Sequence, residues 1–230
     1  PGQGTGLGSS SSVTVGLLNA MHAFQGREAS KDQLAEEACQ IEIDTLGAPI
    51  GRQDQYAASF GGVNSIRFGE NGVQVEPIEV SEGLSKKFSE NFTLVFTGMT
   101  RSASKVLSEQ SDDESDKNSR MREIRKHADE AVSFIQQGDL NSLGSILNQT
   151  WISKRGVSSM VTNTQIDDLY ESAISSGAIG AKLLGAGNGG FLLVCGNRQL
   201  RGILQSKLGA GHRMFPLEID FSGSRIIFGT

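Results

Sequence analysis

Apolar residues recur at helical spacing soon after the start of the chain. Val13, Leu17, Met21 and Phe24 form one stripe and predict a helix over 13–24. A second helix is predicted from Ser30. Gln33 follows it in capping-box spacing, and Leu34, Ala38, Ile41 and Thr45 make an inner face. Gly47 and Pro49 then close that helix, since a glycine past the last turn followed by proline cannot continue it. After a loop over 51–62, strand-like runs at 65–68 and 73–78 flank Glu70-Asn71-Gly72 and predict a hairpin.

A new unit is expected from near residue 90. A strand is predicted at 92–96 and a helix at 102–109, followed by a polar break at 111–116. Helices are predicted at 118–137, 139–152 and 164–176. Strand-like segments at 181–184 and 191–195 bracket a glycine-rich turn, and a helix at 197–208 and strands at 213–219 and 225–229 complete the chain. Strands and helices interleave without a regular βαβ rhythm, so the expected class is α+β.

Composition narrows the function classes. The 230 residues are 37% hydrophobic and 20% charged with a net charge of −5, an ordinary globular balance. No segment concentrates Lys and Arg with aromatics, which argues against a nucleic-acid surface. The apolar runs are far shorter than the roughly 20 residues of a membrane helix. Cys39 and Cys195 sit in apolar surroundings without metal-like spacing, and read as buried reduced thiols of a cytoplasmic protein. The chain opens at Pro1, inside a glycine-rich motif with no leading strand, which reads as a fragment.

Three segments could carry chemistry. The first is Pro1–Ser12 (PGQGTGLGSSSS), which runs straight into the first helix. Glycines let backbone amides converge, and a helix N-terminus adds partial positive charge, so phosphate can bind without a basic side chain. A flexible Gly/Ser linker has a similar composition, but does not require the abrupt change to an apolar-periodic helix. The loop is not a Walker A sequence, because no Gly-Lys-Ser/Thr follows. The second segment is Gly180–Gly190 (GAKLLGAGNGG), where a tight turn and a ligand loop are both open readings. The third pairs Glu42 with Asp54 in GRQDQY (51–56). Isolated carboxylates are usually solvated, yet phosphoryl transfer needs both a metal ligand and a carboxylate at the attacking hydroxyl.

Together these segments resemble the GHMP kinases, the superfamily of galactokinase, homoserine kinase and mevalonate kinase. Residues 1–10 resemble its second signature motif and 182–190 its third. GRQDQYAASFGG (51–62) looks like the sugar-kinase branch, and with FTGMTRSAS (96–104) it looks most like the D-glycero-D-manno-heptose 7-phosphate kinases. The resemblance implies a two-domain α+β fold: a partial N-terminal domain over 1–88 and a ferredoxin-like C-terminal domain over 89–230, with the site between them. It implies ATP and Mg²⁺ as cofactors and a small sugar or sugar phosphate as substrate, with a homodimer as a candidate assembly. Gly4, Gly6, Leu7, Gly8, Ser9, Ser10 and Ser11 would wrap the ATP phosphates. Ser10 and Glu42 would hold the metal, and Asp54 would be the catalytic base. Arg52, Arg101, Gly187 and Gly189 would contact the acceptor. The family's first motif has no counterpart in this sequence, which implies an incomplete acceptor pocket.

The expected reaction is transfer of the γ-phosphate of ATP to the anomeric hydroxyl of a heptose 7-phosphate. Galactose- or fucose-like acceptors, or a non-catalytic sugar and nucleotide sensor on the same fold, are the rival readings. Retention of both Glu42 and Asp54 favours an enzyme. His22, His127 and His212 read as helix-face or surface residues, and Trp151 as a core or interface aromatic.

Overall fold

A computed structural model describes residues 5–100 and 114–228. The chain divides into two compact units. One holds residues 7–79 and returns for 219–228; the other holds 80–100 and 114–218 with Thr5 and Gly6. The change of unit falls ahead of helix α4, Glu82–Asn91. Helix α4 belongs with the strand it feeds, and the Phe88 and Phe92 rings lie 5.4 Å apart.

In the first unit α1 spans Ser9–Phe24, α2 Lys31–Cys39, α3 Gln53–Phe60, β1 Asn64–Gly69 and β2 Gly72–Pro77. Helix α1 starts inside the glycine loop, four residues before the predicted point, because Gly8 already supplies its first carbonyl to Ser12 N. The predicted stripe faces the wrong way for a core. Val13, Leu17, Met21 and Phe24 are 70%, 60%, 51% and 93% exposed, whereas Ser11 and Val15 are buried. Val15 packs with Leu34 and Ala38, so the helix meets α2 along its other side.

Ser30 caps α2 by accepting from Gln33 N, as its spacing predicts. The reciprocal half of the capping box is missing, since the Gln33 side chain donates to Glu37 one turn on. Past Cys39 the helix widens into a π segment, Gln40–Thr45, closed by Leu46 N donating to Ile41 O. The extra residue per turn rotates the inner face. Ile41 is half-buried and Thr45 exposed, and Glu42 takes the buried position. The hairpin forms as predicted, with Asn64 opposite Pro77 and Gly69 opposite Gly72. Its Ile66, Val73 and Val75 pack against Ala35, Cys39 and Tyr56.

In the second unit α4 spans Glu82–Asn91, β3 Phe92–Phe96, α5 Glu114–Gln137, α6 Leu140–Arg155 and α7 Thr164–Ser175. They are followed by β4 Gly180–Leu183, β5 Phe191–Cys195, α8 Leu200–Leu208 and β6 Met214–Pro216. The four strands form one antiparallel sheet in the order β4-β5-β3-β6. From β3 onward the connectivity is β-helices-β-β-α-β, with the first strand at the centre. This is the ferredoxin-like arrangement. Alternate residues Val95, Ala181, Leu183, Leu192 and Val194 face a core shared with Trp151, Ile166, Leu169, Leu200 and Leu204. Trp151 is therefore a core residue.

The predicted helix at 102–109 lies outside the described residues. The predicted strand at 225–229 does not form over 225–228, where no strand pairs with it and Ile227 and Phe228 stay exposed. β-propensity alone makes no strand without a ladder partner. The return segment is instead held by side-chain and turn bonds: Gly62 N donates to Asp220 O, and Asn19 Nδ2 to Ser224 Oγ.

Candidate functional site

The start of α1 is built to receive an anion. Gly8 occupies the N-cap position at φ 65° and offers no side chain to the first-turn amides, and the first turn itself carries no acidic residue. Unpaired N–H groups and the positive end of a 16-residue helix are thus left open. Leu7, Gly8 and Ser9 are half-buried, Ser10 is exposed and Ser11 is buried. Gly4 and Arg101 lie outside the described residues.

Gly8 is glycine for a second reason. A Cβ at this position would sit 3.3 Å from both Cβ and Cγ of Asp54. The phosphate-type loop and the candidate base are therefore in contact within the first unit. Asp54 lies in the first turn of α3. Burial pushes its carboxyl pKa above the ordinary value, the Glu42 charge pushes the same way, and a hydrogen bond from Gln53 opposes them.

The π segment delivers Glu42 to a cluster of oxygen and amide groups. Ser11 Oγ donates to Glu42 Oε2 at 2.7 Å, and Gln55 Nε2 donates to the same oxygen at 2.6 Å. Thr14 Oγ1 donates to Oε1 at 3.3 Å. Glu42 is 5% exposed, so these three donors replace the water its carboxylate gave up. Ser11, rather than the expected Ser10, is the serine that touches Glu42. The Ser10 backbone carbonyl accepts from Thr14 Oγ1. Ser11 lies one turn before Val15 on the buried side of the helix, a side the apolar stripe does not mark. Thr14 and Gln55 were missed as partners.

No group of three or more His, Cys, Asp or Glu side chains suited to a metal occurs among the described residues. A cation at this point would rest on Glu42 with neutral hydroxyl oxygens from Ser11 and Thr14. Such a set suits Mg²⁺, a hard cation that keeps most of its waters and takes one or two carboxylates. The carbonyl oxygen of Gln55 is buried without a hydrogen-bond partner among the described residues, which fits a group that can take a further donor.

Arg52 is engaged locally. Its Nη2 lies 2.6 and 2.5 Å from the two Glu36 carboxylate oxygens, and Tyr56 donates to the same carboxylate. Burial and Glu36 together push the Tyr56 hydroxyl pKa upward. Here Arg52 braces α3 against α2.

In the second unit the two glycine motifs meet. Thr5 is buried, and a Cβ on Gly6 would lie 3.1 Å from Leu184 O. A Cβ on Gly190 would lie 2.2 Å from Thr5 O, at a φ of 99°, so only glycine fits there. Gly190 N donates to Met99 O, and Thr97 Oγ1 donates to Gly190 O at 2.9 Å. Gly187 is pressed against Val161, and Gly189 has a φ of 146°. Asn188, at φ 57°, accepts from Asn163 Nδ2 at 2.6 Å and donates its N–H to Val161 O. Close packing accounts for glycine at 187 and 190. Burial also lowers the pKa of the Lys182 amine.

Residues 2–62 match the family of GHMP kinases N terminal domains, and residues 131–210 match GHMP kinases C terminal. The chain belongs to the GHMP kinases. It is 33% identical over 192 residues to a D-glycero-alpha-D-manno-heptose 7-phosphate kinase of Campylobacter jejuni, covering 82% of this chain and 57% of that protein. A mevalonate kinase of Aeropyrum pernix is 30% identical over 228 residues, covering 96% of this chain and 66% of its own length. A crystal structure of a D-glycero-D-manno-heptose 1-phosphate kinase from Bacteroides thetaiotaomicron superposes with a TM-score of 0.76. It shares 23% identity over 100% of this chain and 66% of that one. The GHMP fold, α+β with a ferredoxin-like C-terminal part, is thus found from two directions. The chain spans between about half and two thirds of the length of these relatives.

Proposed function

We propose that this GHMP kinase transfers the γ-phosphate of ATP, with Mg²⁺, to a hydroxyl of a sugar phosphate, and that the acceptor is the anomeric hydroxyl of a heptose 7-phosphate. The observation that carries the reaction class is the contact of Asp54 with Gly8. A half-buried carboxylate whose proton affinity is raised lies against an uncapped helix start. Asp54 takes the proton of the attacking hydroxyl, a role suited to a carboxylate more basic than usual. The amides of Gly8 to Ser11 and the α1 dipole stabilise the phosphate oxygens. Glu42, held by Ser11, Thr14 and Gln55, ligates the cation, which when bound neutralises charge on the phosphates. Arg101 is the candidate cation for the acceptor's own phosphate, on the resemblance of residues 96–104 alone.

The acceptor class is supported by the name of the 33%-identical relative. A bifunctional fucokinase of Arabidopsis thaliana, 27% identical over 204 residues, keeps a plain sugar in view. The deciding experiment measures ADP release with heptose 7-phosphate, fucose, galactose and mevalonate in the unmodified protein and in Asp54→Asn. Turnover should be fastest with the heptose phosphate and fall by roughly 10²- to 10⁴-fold in Asp54→Asn, the usual worth of general acid–base catalysis, with the KM for ATP little changed. Faster turnover of a plain sugar overturns the acceptor. Undiminished turnover in Asp54→Asn overturns the base.

A further inference from the structure

Gln55 follows the candidate base and is fully enclosed, at 0% exposure. Its amide nitrogen donates to Glu42 Oε2 at 2.6 Å. Charge fixes that orientation. An ionised carboxylate only accepts, so the NH₂ half of the amide must face Glu42 and the carbonyl half must turn away. The carbonyl oxygen is then sealed from solvent, and no group among the described residues donates to it. Native folds pair nearly all such atoms, and an unpaired one calls for a group beyond the protein's own. A leucine or methionine would fill the same volume without this cost.

We propose that Gln55 is a positioning residue for the divalent cation. Its NH₂ locks the Glu42 carboxylate, and its carbonyl oxygen accepts a hydrogen bond from a water in the cation's hydration shell. The inference rests on the phosphotransfer reading above. Two linked observations carry it: the short bond to Glu42, and the buried oxygen left over once that bond is made. Mg²⁺ and Mn²⁺ retain several waters when protein carboxylates are few, so an inward carbonyl beside the single carboxylate has a partner to meet. Groups that hold ligands and metal-bound waters from behind are typically worth about 10- to 100-fold in metal affinity.

The test is Mn²⁺ binding, read from the electron paramagnetic resonance signal of the free ion, with and without a non-hydrolysable ATP analogue. Gln55→Leu and Gln55→Met should raise the Mn²⁺ dissociation constant by about 10-fold or more. Their affinity for the metal-free analogue should stay unchanged. An unaltered Mn²⁺ constant alongside a lowered melting temperature would mean that Gln55 only supports the fold, and overturns the proposal. If neither variant folds, the side-chain ¹⁵N amide resonance of Gln55 in the unmodified chain decides. It should shift with Mg²⁺ and broaden away with Mn²⁺, and a resonance that does neither overturns the proposal. Absence of Mn²⁺ binding in the unmodified chain would overturn both this proposal and the cation's place in the phosphotransfer reading. Binding that ignores Gln55 overturns this proposal alone.

Discussion

Gly8→Ala isolates the contact between the loop and the base, because the chain supplies its own control. Gly8 and Gly26 flank the same helix at φ 65° and 69°. An alanine in this left-handed region costs roughly 1–2 kcal/mol at either position. For a chain of this size that lowers the melting temperature by about 2–8 °C. Only the surroundings differ. A Cβ on Gly26 meets nothing within 4 Å, while on Gly8 it comes to 3.3 Å from Asp54 Cβ and Cγ. Carbon atoms prefer about 3.5–4.0 Å, so Asp54 or the loop must yield by roughly 0.2–0.7 Å. Displacements near 1 Å in a reacting pair can cost about 10²-fold, which puts the expected loss in kcat on the order of 10-fold. Gly26→Ala should lose stability alone. Melting curves and ADP release on both variants check this. Equal turnover in the two variants at equal melting temperatures would refute the claim that Gly8 is small on behalf of Asp54.

Asp54→Asn should melt higher than the unmodified protein at neutral pH. Burial and the Glu42 charge raise the Asp54 pKa above its ordinary 3.8, so the folded state holds this proton more tightly than the unfolded chain. The stability it contributes is present below the ordinary value and lost as pH rises through the raised one. The advantage of asparagine should therefore shrink as pH falls toward 3.8, and an advantage independent of pH would contradict the burial argument. Ser11→Ala removes a buried bond to a charged acceptor and should cost about 1.5–3 kcal/mol in chemical denaturation. Ser10→Ala, on the exposed side, should stay within about 0.5 kcal/mol; the reverse ranking would return the partner role to Ser10.

Much of the fold was legible because local rules and tertiary packing agree. Strand β3 at Phe92–Phe96, the hairpin around Glu70-Asn71, and β5 at Phe191–Cys195 lie where alternation and turn residues put them. Each has a ladder partner, which 225–228 lacks. The site was legible in type more than in detail. The Glu42–Asp54 pairing and the glycine loop could be named, but Ser11 could not be told from Ser10 within four consecutive serines. That choice depends on where the helix begins, and the beginning is set by Gly8 closing the first turn one residue before the serines. For Glu42 the residue type was legible and its burial was not. The inner face read as 34, 38, 41 and 45 leaves it out, whereas within the π segment Glu42 is buried and Thr45 exposed. Helices with such bulges often carry functional groups, since the wider turn re-aims one side chain without ending the element.

Helix α1 shows what periodicity can and cannot decide. Its apolar stripe establishes amphipathicity, yet the stripe is exposed, and the side that meets α2 and α3 carries Ser11 and Val15. An apolar count alone would choose the opposite orientation. The chemistry of Glu42 selects the observed one, because a buried carboxylate needs donors, and Ser11 and Thr14 are the hydroxyls α1 has at that depth. Turning the helix to bury Leu17 and Met21 would withdraw both hydroxyls and leave the Glu42 carboxylate with Gln55 as its remaining donor among the described residues. Losing a buried partner of a charge costs about 3–5 kcal/mol and fully burying two apolar side chains returns about 3–6 kcal/mol, so the hydroxyl bonds offset most of what the exposed stripe forgoes.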